Sequence, residues 1–304
     1  MIPLKTVLDV GAPALVFLSL ITVGLDLTPT DFRRLREVPG VVAVGVFAPL
    51  VALPAIAVAL VWWFAPDPFV EAGLLLVAAS PIGGISNTYS YLARASTALS
   101  VALTGLSCVV AVGSIPALTQ GFARVLREPI RVDAPVPVLL MQLFVIVALP
   151  IGVGMAVRRR WPEWAAVRQA WFQRMMFVLL GLLLLSVIAA ERQRVAAALP
   201  QVVLVAATFV VLSFAAGWAA GVAARAGEAD RFTLAAEFAT RNIAIATTVA
   251  VTMLGRTEFA VFASVYFLTE LPIMLAAVVV WRRWQASHAR QARASADGGL
   301  RPGR

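Results

Sequence analysis

The sequence predicts an all-α polytopic membrane protein with nine transmembrane helices. Of its 304 residues, 61% are hydrophobic and 13% are charged, whereas a soluble domain contains about 25% charged residues. The hydrophobic residues form long runs, and a membrane helix needs about 20 predominantly apolar residues. Two of these runs carry ionisable or helix-breaking residues at mid-membrane depth, which indicates a transport pathway.

Short charged loops separate nine hydrophobic runs. The predicted spans are residues 7–27, 41–64, 73–94, 98–122, 136–157, 175–190, 199–223, 232–254 and 259–281. The basic loop 158–174 contains tryptophans and could lie on the membrane surface as an amphipathic helix. Residues 282–304 are polar and rich in Arg and Gly, so we expect a disordered tail.

Arginines concentrate in the loops after odd-numbered spans and in the C-terminal tail. Positive residues favour the cytoplasmic side, so we expect an external N-terminus and a cytoplasmic C-terminus in the inner (plasma) membrane. The net charge of +9 is therefore a topology signal, and no nucleic acid is expected as a partner. Cys108 and His288 are the single cysteine and histidine, which excludes an internal disulfide and a multi-histidine metal site.

The third span is interrupted near its middle. Pro81, Gly83 and Gly84 would free backbone groups that hydrocarbon cannot satisfy, so the break must be buried in protein or line a cavity. Oxygen-bearing side chains follow the break, namely Ser86, Asn87, Ser100 and Thr104. This combination predicts a transporter's binding site. The alternatives are hydroxyls bonded to their own helix and glycines that permit close helix packing.

Glu237 is an ionisable residue within the eighth span, and such a residue is functional by default. Sodium is a hard cation that prefers oxygen ligands, so Glu237 and the four oxygen-bearing residues are candidate sodium ligands. The structural alternative is an ion pair with Arg241, one helical turn later. Asn242 could bind an anionic substrate or cap a half-helix.

Glu270 is a second acid, placed within the ninth span. It could line the substrate path, take up a proton or hydrogen-bond to a neighbouring helix. Arg94 and Asp26 are interpreted as interfacial residues. The candidate substrate residues are Gly83, Gly84, Arg241, Asn242 and Glu270.

The third and fourth spans share their pattern with the eighth and ninth spans. In each pair, the first span carries polar residues at mid-membrane depth, and a span rich in small residues follows it. The pairs are an odd number of spans apart, so they cross the membrane in opposite senses. This arrangement predicts inverted repeats, whose discontinuous helices meet near the membrane midplane.

Two motifs resemble those of the bile acid:sodium symporter family. PIGGISNTYSYLARASTALSVALT, from Pro81 to Thr104, is similar to the family's first broken helix and the helix after it. EFATRNIAIATT, which begins at Glu237, resembles the second broken helix, and GLDLTPTDFRR resembles an early segment. The resemblance implies two broken helices crossing in a core domain (about 40–122 and 199–281) beside a panel domain (about 7–27 and 136–190).

The resemblance also implies how many sodium ions bind. Carried over by position, the first sodium site would be Ser86, Asn87, Ser100, Thr104 and Glu237. The family's second site uses two glutamines, and these positions hold Pro49 and Arg241 here. A guanidinium is always charged, so we expect that the second site is lost and that Arg241 occupies its place.

We therefore predict a secondary transporter that moves an organic anion, a carboxylate or sulfonate, by alternating access with one sodium ion. No catalytic motif is recognisable, so an enzyme is not expected. One alternative is a sodium-independent or proton-linked carrier, as in the fold-related auxin carriers, and another is a membrane sensor that does not transport. The expected partners are the substrate and the bilayer, with the protein a monomer or weak dimer.

Overall fold

The computed structural model describes residues 4–27, 36–122, 141 and 143–298, and the regular elements of this part are helices. In chain order they are α1 (Leu4–Asp26), α2 (Pro39–Phe47), α3 (Pro49–Phe64), α4 (Pro68–Ala79), α5 (Ile85–Leu92), α6 (Thr97–Phe122), α7 (Leu149–Arg160), α8 (Pro162–Ala190), α9 (Arg192–Ala223), α10 (Glu228–Ala239), α11 (Ile243–Thr248) and α12 (Phe259–Gly298). Short π-helical turns, Phe144–Ala148 and Val249–Met253, precede α7 and follow α11. The described part is therefore all-α, as predicted.

In the described part of the chain, five helical segments are long and apolar enough to cross a membrane, which is consistent with a polytopic membrane protein. They are Pro39–Phe64, Thr97–Phe122, Pro162–Ala190, Arg192–Ala223 and Phe259–Ala289. The third and eighth predicted spans are broken into shorter helices, and part of the fifth lies outside the described residues. The figure of nine crossings therefore remains a prediction.

Proline explains where several helices begin and end. Pro39, Pro68 and Pro162 each stand at the start of a helix, where the missing N–H has no intrahelical partner to lose. Pro49 instead separates α2 from α3 within one helical segment. Because Pro81 disfavours helical geometry in the residue before it, α4 ends at Ala79 and the backbone of Ser80 is extended.

The breaks between α4 and α5 and between α10 and α11 meet each other. Ile82 and Arg241 form an isolated antiparallel bridge. The Gly83 N–H donates to the Thr240 carbonyl at 3.1 Å, and the Asn242 N–H donates to the Pro81 carbonyl at 2.8 Å. Each break thus satisfies backbone groups of the other, which meets the requirement for irregular backbone at membrane depth.

Close packing of neighbouring helices holds the second break in place. At Gly217 on α9, an added Cβ would lie 2.5 Å from the Leu234 carbonyl oxygen on α10, so these helices approach to backbone contact. Helices α3, α4, α9, α10 and α12 share one hydrophobic cluster, which includes the fully buried Phe209 and Tyr266. A second cluster joins α1, α7 and α8 to α4, α6 and α11.

Two polar segments are helical in the structure. Helix α12 continues to Gly298, so residues 282–298 are helical where we predicted disorder. This stretch contains many Ala, Arg and Gln residues, which are strong helix formers. The basic loop 158–174 is divided between the end of α7 and the first turns of α8, with Trp161 between them.

Gly83 provides a test of the contact between the breaks. A Cβ on Gly83 would lie 2.6 Å from the Arg241 carbonyl oxygen, whereas a Cβ on Gly84 would lie 3.7 Å from its nearest neighbour, Val23 Cγ2. We expect Gly83→Ala to lower the free energy of unfolding by about 1–3 kcal/mol through overpacking and Gly84→Ala to have little effect. Differential scanning fluorimetry in detergent measures both variants, and equal melting temperatures would contradict the contact.

Candidate functional site

The Glu237 carboxylate lies at the centre of a cluster of oxygen-bearing side chains. Ser86 Oγ and Thr104 Oγ1 donate to Glu237 Oε2 at 3.0 and 3.4 Å, and Ser100 Oγ donates to Glu237 Oε1. Asn87 Oδ1 lies 2.8 Å from Ser100 Oγ and 3.3 Å from Thr104 Oγ1. The structure thus brings together all five residues that the sequence predicts as sodium ligands.

This oxygen cluster is shielded from solvent. Glu237 and the three hydroxyl residues are 0% exposed, and Asn87 is 8% exposed. A buried carboxylate requires hydrogen-bonding or charged partners, and the hydroxyl groups provide the hydrogen bonds here. Among the described residues, no group of three or more His, Cys, Asp or Glu could hold a metal ion. The oxygen set of the cluster instead matches the preference of a hard cation.

Three helices position the cluster. On α6, Ser100 and Thr104 are four residues apart and therefore lie on one face. The residue one turn further on, Ser107, accepts a hydrogen bond from the Ile82 N–H at 3.1 Å, which ties α6 to the first break. Helix α5 begins just after that break and carries Ser86 and Asn87, while Glu237 lies in the last turn of α10.

Arg241 does not pair with the Glu237 carboxylate, although both residues are described. Its Nη1 donates to the Glu237 backbone carbonyl at 3.4 Å, and its Nη2 donates to the Ser80 carbonyl in the first break. The side chain is 4% exposed, and its Nε has no hydrogen-bond partner among the described residues. The ion pair that served as the structural alternative is therefore not present between these two residues.

A small cavity lies beside the Arg241 guanidinium. Its lining includes Pro49 from α3, Ser80 and Pro81 from the first break, and Ser114 from α6. Pro49 and Arg241, where the resemblance places the two glutamines of a second sodium site, therefore line one cavity.

A larger cavity lies between the breaks and helices α1 and α8. Four of the five predicted substrate residues line it, namely Gly83, Gly84, Arg241 and Asn242. Asn242 also caps α11, because its Oδ1 accepts a hydrogen bond from the Ile245 N–H at 3.1 Å. The capping alternative is thus observed, and the amide N–H groups of Asn242 remain available as donors.

Glu270, the fifth predicted substrate residue, is not part of this lining. It is 1% exposed and hydrogen-bonds to both broken segments. Its Oε2 accepts from Tyr89 Oη on α5 at 3.4 Å, and its Oε1 accepts from Thr240 Oγ1 in the second break at 3.0 Å. Its position fits the alternative of a hydrogen bond to neighbouring helices rather than contact with substrate.

The sequence interpretation did not identify the residues that α1 and α8 contribute to the larger cavity. The polar ones are Ser19, Thr22 and Asp26 on α1 and Gln173 on α8. Asp26, which was interpreted as interfacial, lines the cavity and accepts a hydrogen bond from Gln169 Nε2 on α8. Residues 15, 19, 22 and 26 recur at helical spacing, and this spacing was the signal in the sequence that they lie on one face of α1.

The chain that carries these two breaks and this oxygen cluster is similar in sequence to known transporters. A model of the sodium bile acid symporter family matches residues 13–199. Over 155 residues the chain is 33% identical to "Probable sodium/metabolite cotransporter BASS2, chloroplastic" of Oryza sativa subsp. japonica, and the match covers 51% of this chain and 36% of the relative. It is 35% identical over 111 residues to "Uncharacterized sodium-dependent transporter YocS" of Bacillus subtilis, and this match covers 36% of this chain and 35% of the relative.

A third relative comes from an animal. The chain is 26% identical over 162 residues to "Sodium-dependent organic anion transporter" of Rattus norvegicus, covering 53% of this chain and 44% of the relative. The matched parts therefore span less than half the length of each of these relatives.

The bonds of Glu270 predict a structural role that can be measured. Replacing Glu270 by Leu would leave the hydroxyls of Tyr89 and Thr240 buried without their acceptor, at about 1–3 kcal/mol for each unsatisfied group. We expect Glu270→Leu to lower the melting temperature strongly and Glu270→Gln, which keeps one acceptor oxygen, to lower it less. If both variants are as stable as the wild type, the bonds are not structural.

Proposed function

The chain belongs to the sodium bile acid symporter family, a family of transporters, and we propose that it is a secondary transporter that couples one sodium ion to the movement of an organic anion. The substrate would be a carboxylate or sulfonate. The observation that carries this proposal is the oxygen cluster around Glu237, which combines one negative charge with neutral oxygen ligands. The names of the matched relatives, which include sodium-dependent transporters, also support it.

Sodium binding would rearrange the hydrogen bonds of the cluster without moving its helices far. In the structure, the hydroxyls of Ser86, Ser100 and Thr104 donate to Glu237. A sodium ion would neutralise the negative charge of the Glu237 carboxylate, and each hydroxyl could then rotate to direct a lone pair at the ion. The ion would thereby link α5, α6 and α10, because Ser86, Ser100 and Glu237 belong to these three helices.

Arg241 would act as a fixed cation in place of a second sodium ion. Its guanidinium donates to the Ser80 carbonyl, which belongs to the first break. A mobile cation in that position would be coordinated by the same kind of backbone oxygen. Because the guanidinium is permanently charged, it would also repel a second sodium ion at short distance.

The substrate anion would bind in the larger cavity. Arg241 and the Asn242 amide offer hydrogen-bond donors there, and a guanidinium is well suited to a carboxylate. The beginning of α5 lies at the same wall, since Gly84 and Ile85 line the cavity, and the N-terminal end of a helix favours negative charge. Neutralisation of Glu237 by sodium would remove an unfavourable charge near the bound anion.

Alternating access would arise from motion of α1, α7 and α8 against the helices that carry the breaks. The larger cavity lies between these two groups, with α1 and α8 on one side and the breaks on the other. The antiparallel bridge between the breaks is consistent with inverted repeats that cross the membrane in opposite senses. We further propose the predicted orientation, with a cytoplasmic C-terminus in the plasma membrane.

A sodium-independent or proton-linked carrier of the same fold is the main alternative. Arg241 favours it, because a resident cation beside the breaks could support anion binding without sodium. Flux in proteoliposomes that does not respond to sodium would select this alternative. Ligand binding without any flux would instead indicate a sensor.

Ser86 and Ser90 provide a matched test of the sodium site, because they lie one turn apart on α5. Both are 0% exposed, but Ser86 Oγ bonds to Glu237 at 3.0 Å, whereas Ser90 Oγ has no partner among the described residues. We expect Ser86→Ala to raise the half-saturating sodium concentration roughly tenfold, as the loss of one ligand at about 1.4 kcal/mol implies. Ser90→Ala should leave that concentration unchanged.

The measurement is the rise in melting temperature of the purified protein with sodium chloride, against choline chloride at equal ionic strength. We expect Glu237→Gln to abolish the sodium-specific rise. A sodium-specific rise that survives in Glu237→Gln, or equal effects of Ser86→Ala and Ser90→Ala, would refute the assignment of the site.

A further inference from the structure

The larger cavity has two walls of opposite hydrogen-bonding character. One wall, here called the donor wall, consists of Arg241 and Asn242 at the second break. The opposite wall, here called the acceptor wall, consists of Ser19, Thr22 and Asp26 on α1. The existing bonds of these side chains decide which groups remain for a ligand.

The donor wall offers N–H groups only. The Asn242 carbonyl oxygen is committed to the Ile245 N–H at 3.1 Å, so its NH₂ group is what remains. A guanidinium has no acceptor atom, and Arg241 Nε has no hydrogen-bond partner among the described residues. An acceptor such as a carboxylate is therefore the ligand group that fits this wall.

The acceptor wall offers mainly lone pairs. Ser19 Oγ donates its single hydrogen to the Val16 carbonyl at 2.8 Å, and Thr22 Oγ1 donates its hydrogen to the Leu18 carbonyl at 3.0 Å. Each hydroxyl oxygen therefore faces a ligand as an acceptor, unless it gives up the bond to its own helix.

Asp26 continues the acceptor wall one turn beyond Thr22. An ionised carboxylate can only accept hydrogen bonds. Asp26 Oδ1 accepts a hydrogen bond from Gln169 Nε2, and the carboxylate has further lone pairs. Gln173 on α8 also lines the cavity, and its amide can both donate and accept. A donor group of the ligand placed at this wall would find an acceptor in Asp26, whereas a second carboxylate or a sulfonate would offer no hydrogen there.

Apart from Thr88 on α5, the other side chains of the lining are apolar. Leu15 on α1, Phe177 and Leu180 on α8, and Phe267 on α12 lie around the space between the two walls. They can contact a short hydrocarbon portion but provide no polar group for it. A ligand that fits the whole cavity thus has an anionic end, a short apolar middle and a donor end.

We propose that the acceptor wall selects carboxylates that carry their own hydrogen-bond donor, a hydroxyl or an ammonium group, a few atoms from the carboxylate. This inference rests on the proposed function and specifies its substrate class. A plain alkyl carboxylate would remove water from Thr22 and Asp26 without replacing the lost hydrogen bonds, and sites that bind a polar group reject analogues without it.

The test uses three probes of similar length, butyrate, 4-hydroxybutyrate and 4-aminobutyrate. Each is titrated against the purified protein in saturating sodium chloride and in choline chloride at equal ionic strength, and the dissociation constant is taken from isothermal titration or thermal shift. We expect 4-hydroxybutyrate and 4-aminobutyrate to bind at least about fivefold more tightly than butyrate, which corresponds to one net hydrogen bond.

Variants of the acceptor wall locate the origin of that preference. Thr22→Val and Asp26→Asn should each reduce the preference at least about threefold while butyrate affinity stays near the wild-type value. Thr208→Val is the matched control, because Thr208 makes the same bond to its own helix, to the Leu204 carbonyl at 2.8 Å, and is not among the residues that line the cavity. Melting temperatures without ligand identify any variant that is merely unfolded.

The outcomes separate this inference from the proposed function. Sodium-enhanced binding of all three probes with equal affinity would overturn the selection for donors and leave the proposed transporter intact. A preference that persists unchanged in both Thr22→Val and Asp26→Asn would also overturn it. If sodium does not tighten the binding of any probe, but the two probes with a donor still bind more tightly than butyrate, the selection for donors is supported and the proposed sodium coupling is refuted.

Discussion

The burial of the Glu237 carboxylate is the constraint on which the rest of the site depends. A charged group without water requires partners within hydrogen-bonding distance, and three hydroxyls from two other helices supply them. Ser86 can reach Glu237 only because α5 begins at the break, after Pro81 ends α4 and the chain changes course. The irregular backbone and the buried charge are therefore two parts of one arrangement.

Backbone pairing between the breaks makes that arrangement possible. Each break leaves N–H and C=O groups that lipid cannot satisfy, and each supplies partners to the other. The pairing requires close approach, which Gly83 permits because it has no Cβ. The guanidinium of Arg241 adds a bond to the Ser80 carbonyl, so this side chain stabilises the first break as a bound cation would. In our proposal, one sodium ion is mobile while the second positive charge stays with the protein throughout the cycle.

The sequence predicted which residues cluster around Glu237 better than it predicted their surroundings. Glu237 could be selected because ionisable residues in apolar spans are rare and costly. Oxygen-bearing residues that follow a break in a membrane helix indicate a binding site, and this selected Ser86, Asn87, Ser100 and Thr104. The role of Glu270 was less predictable, because a buried acid has the same appearance in sequence whether it contacts substrate or neighbouring helices. Its bonds to Tyr89 and Thr240 depend on the packing of α12 against both breaks.

The polar residues of the acceptor wall could not be assigned from sequence for a different reason. Ser19 and Thr22 are common residues in membrane helices, and Asp26 stands at the end of α1, where an interfacial position is the simpler interpretation. Only the approach of α8 and the breaks turns that face of α1 into a cavity wall. Residues 282–298 were predicted to be disordered because they are polar, yet α12 continues through them.

The central claim is that one sodium ion is bound and that Arg241 replaces the other. Sodium-titrated uptake of a monovalent carboxylate into proteoliposomes, with transport current recorded in the same preparation, tests it most directly. One mobile cation and one monovalent anion carry no net charge, so the account predicts a Hill coefficient near one and no steady current. A Hill coefficient near two, or an inward current with a monovalent anion, would contradict it.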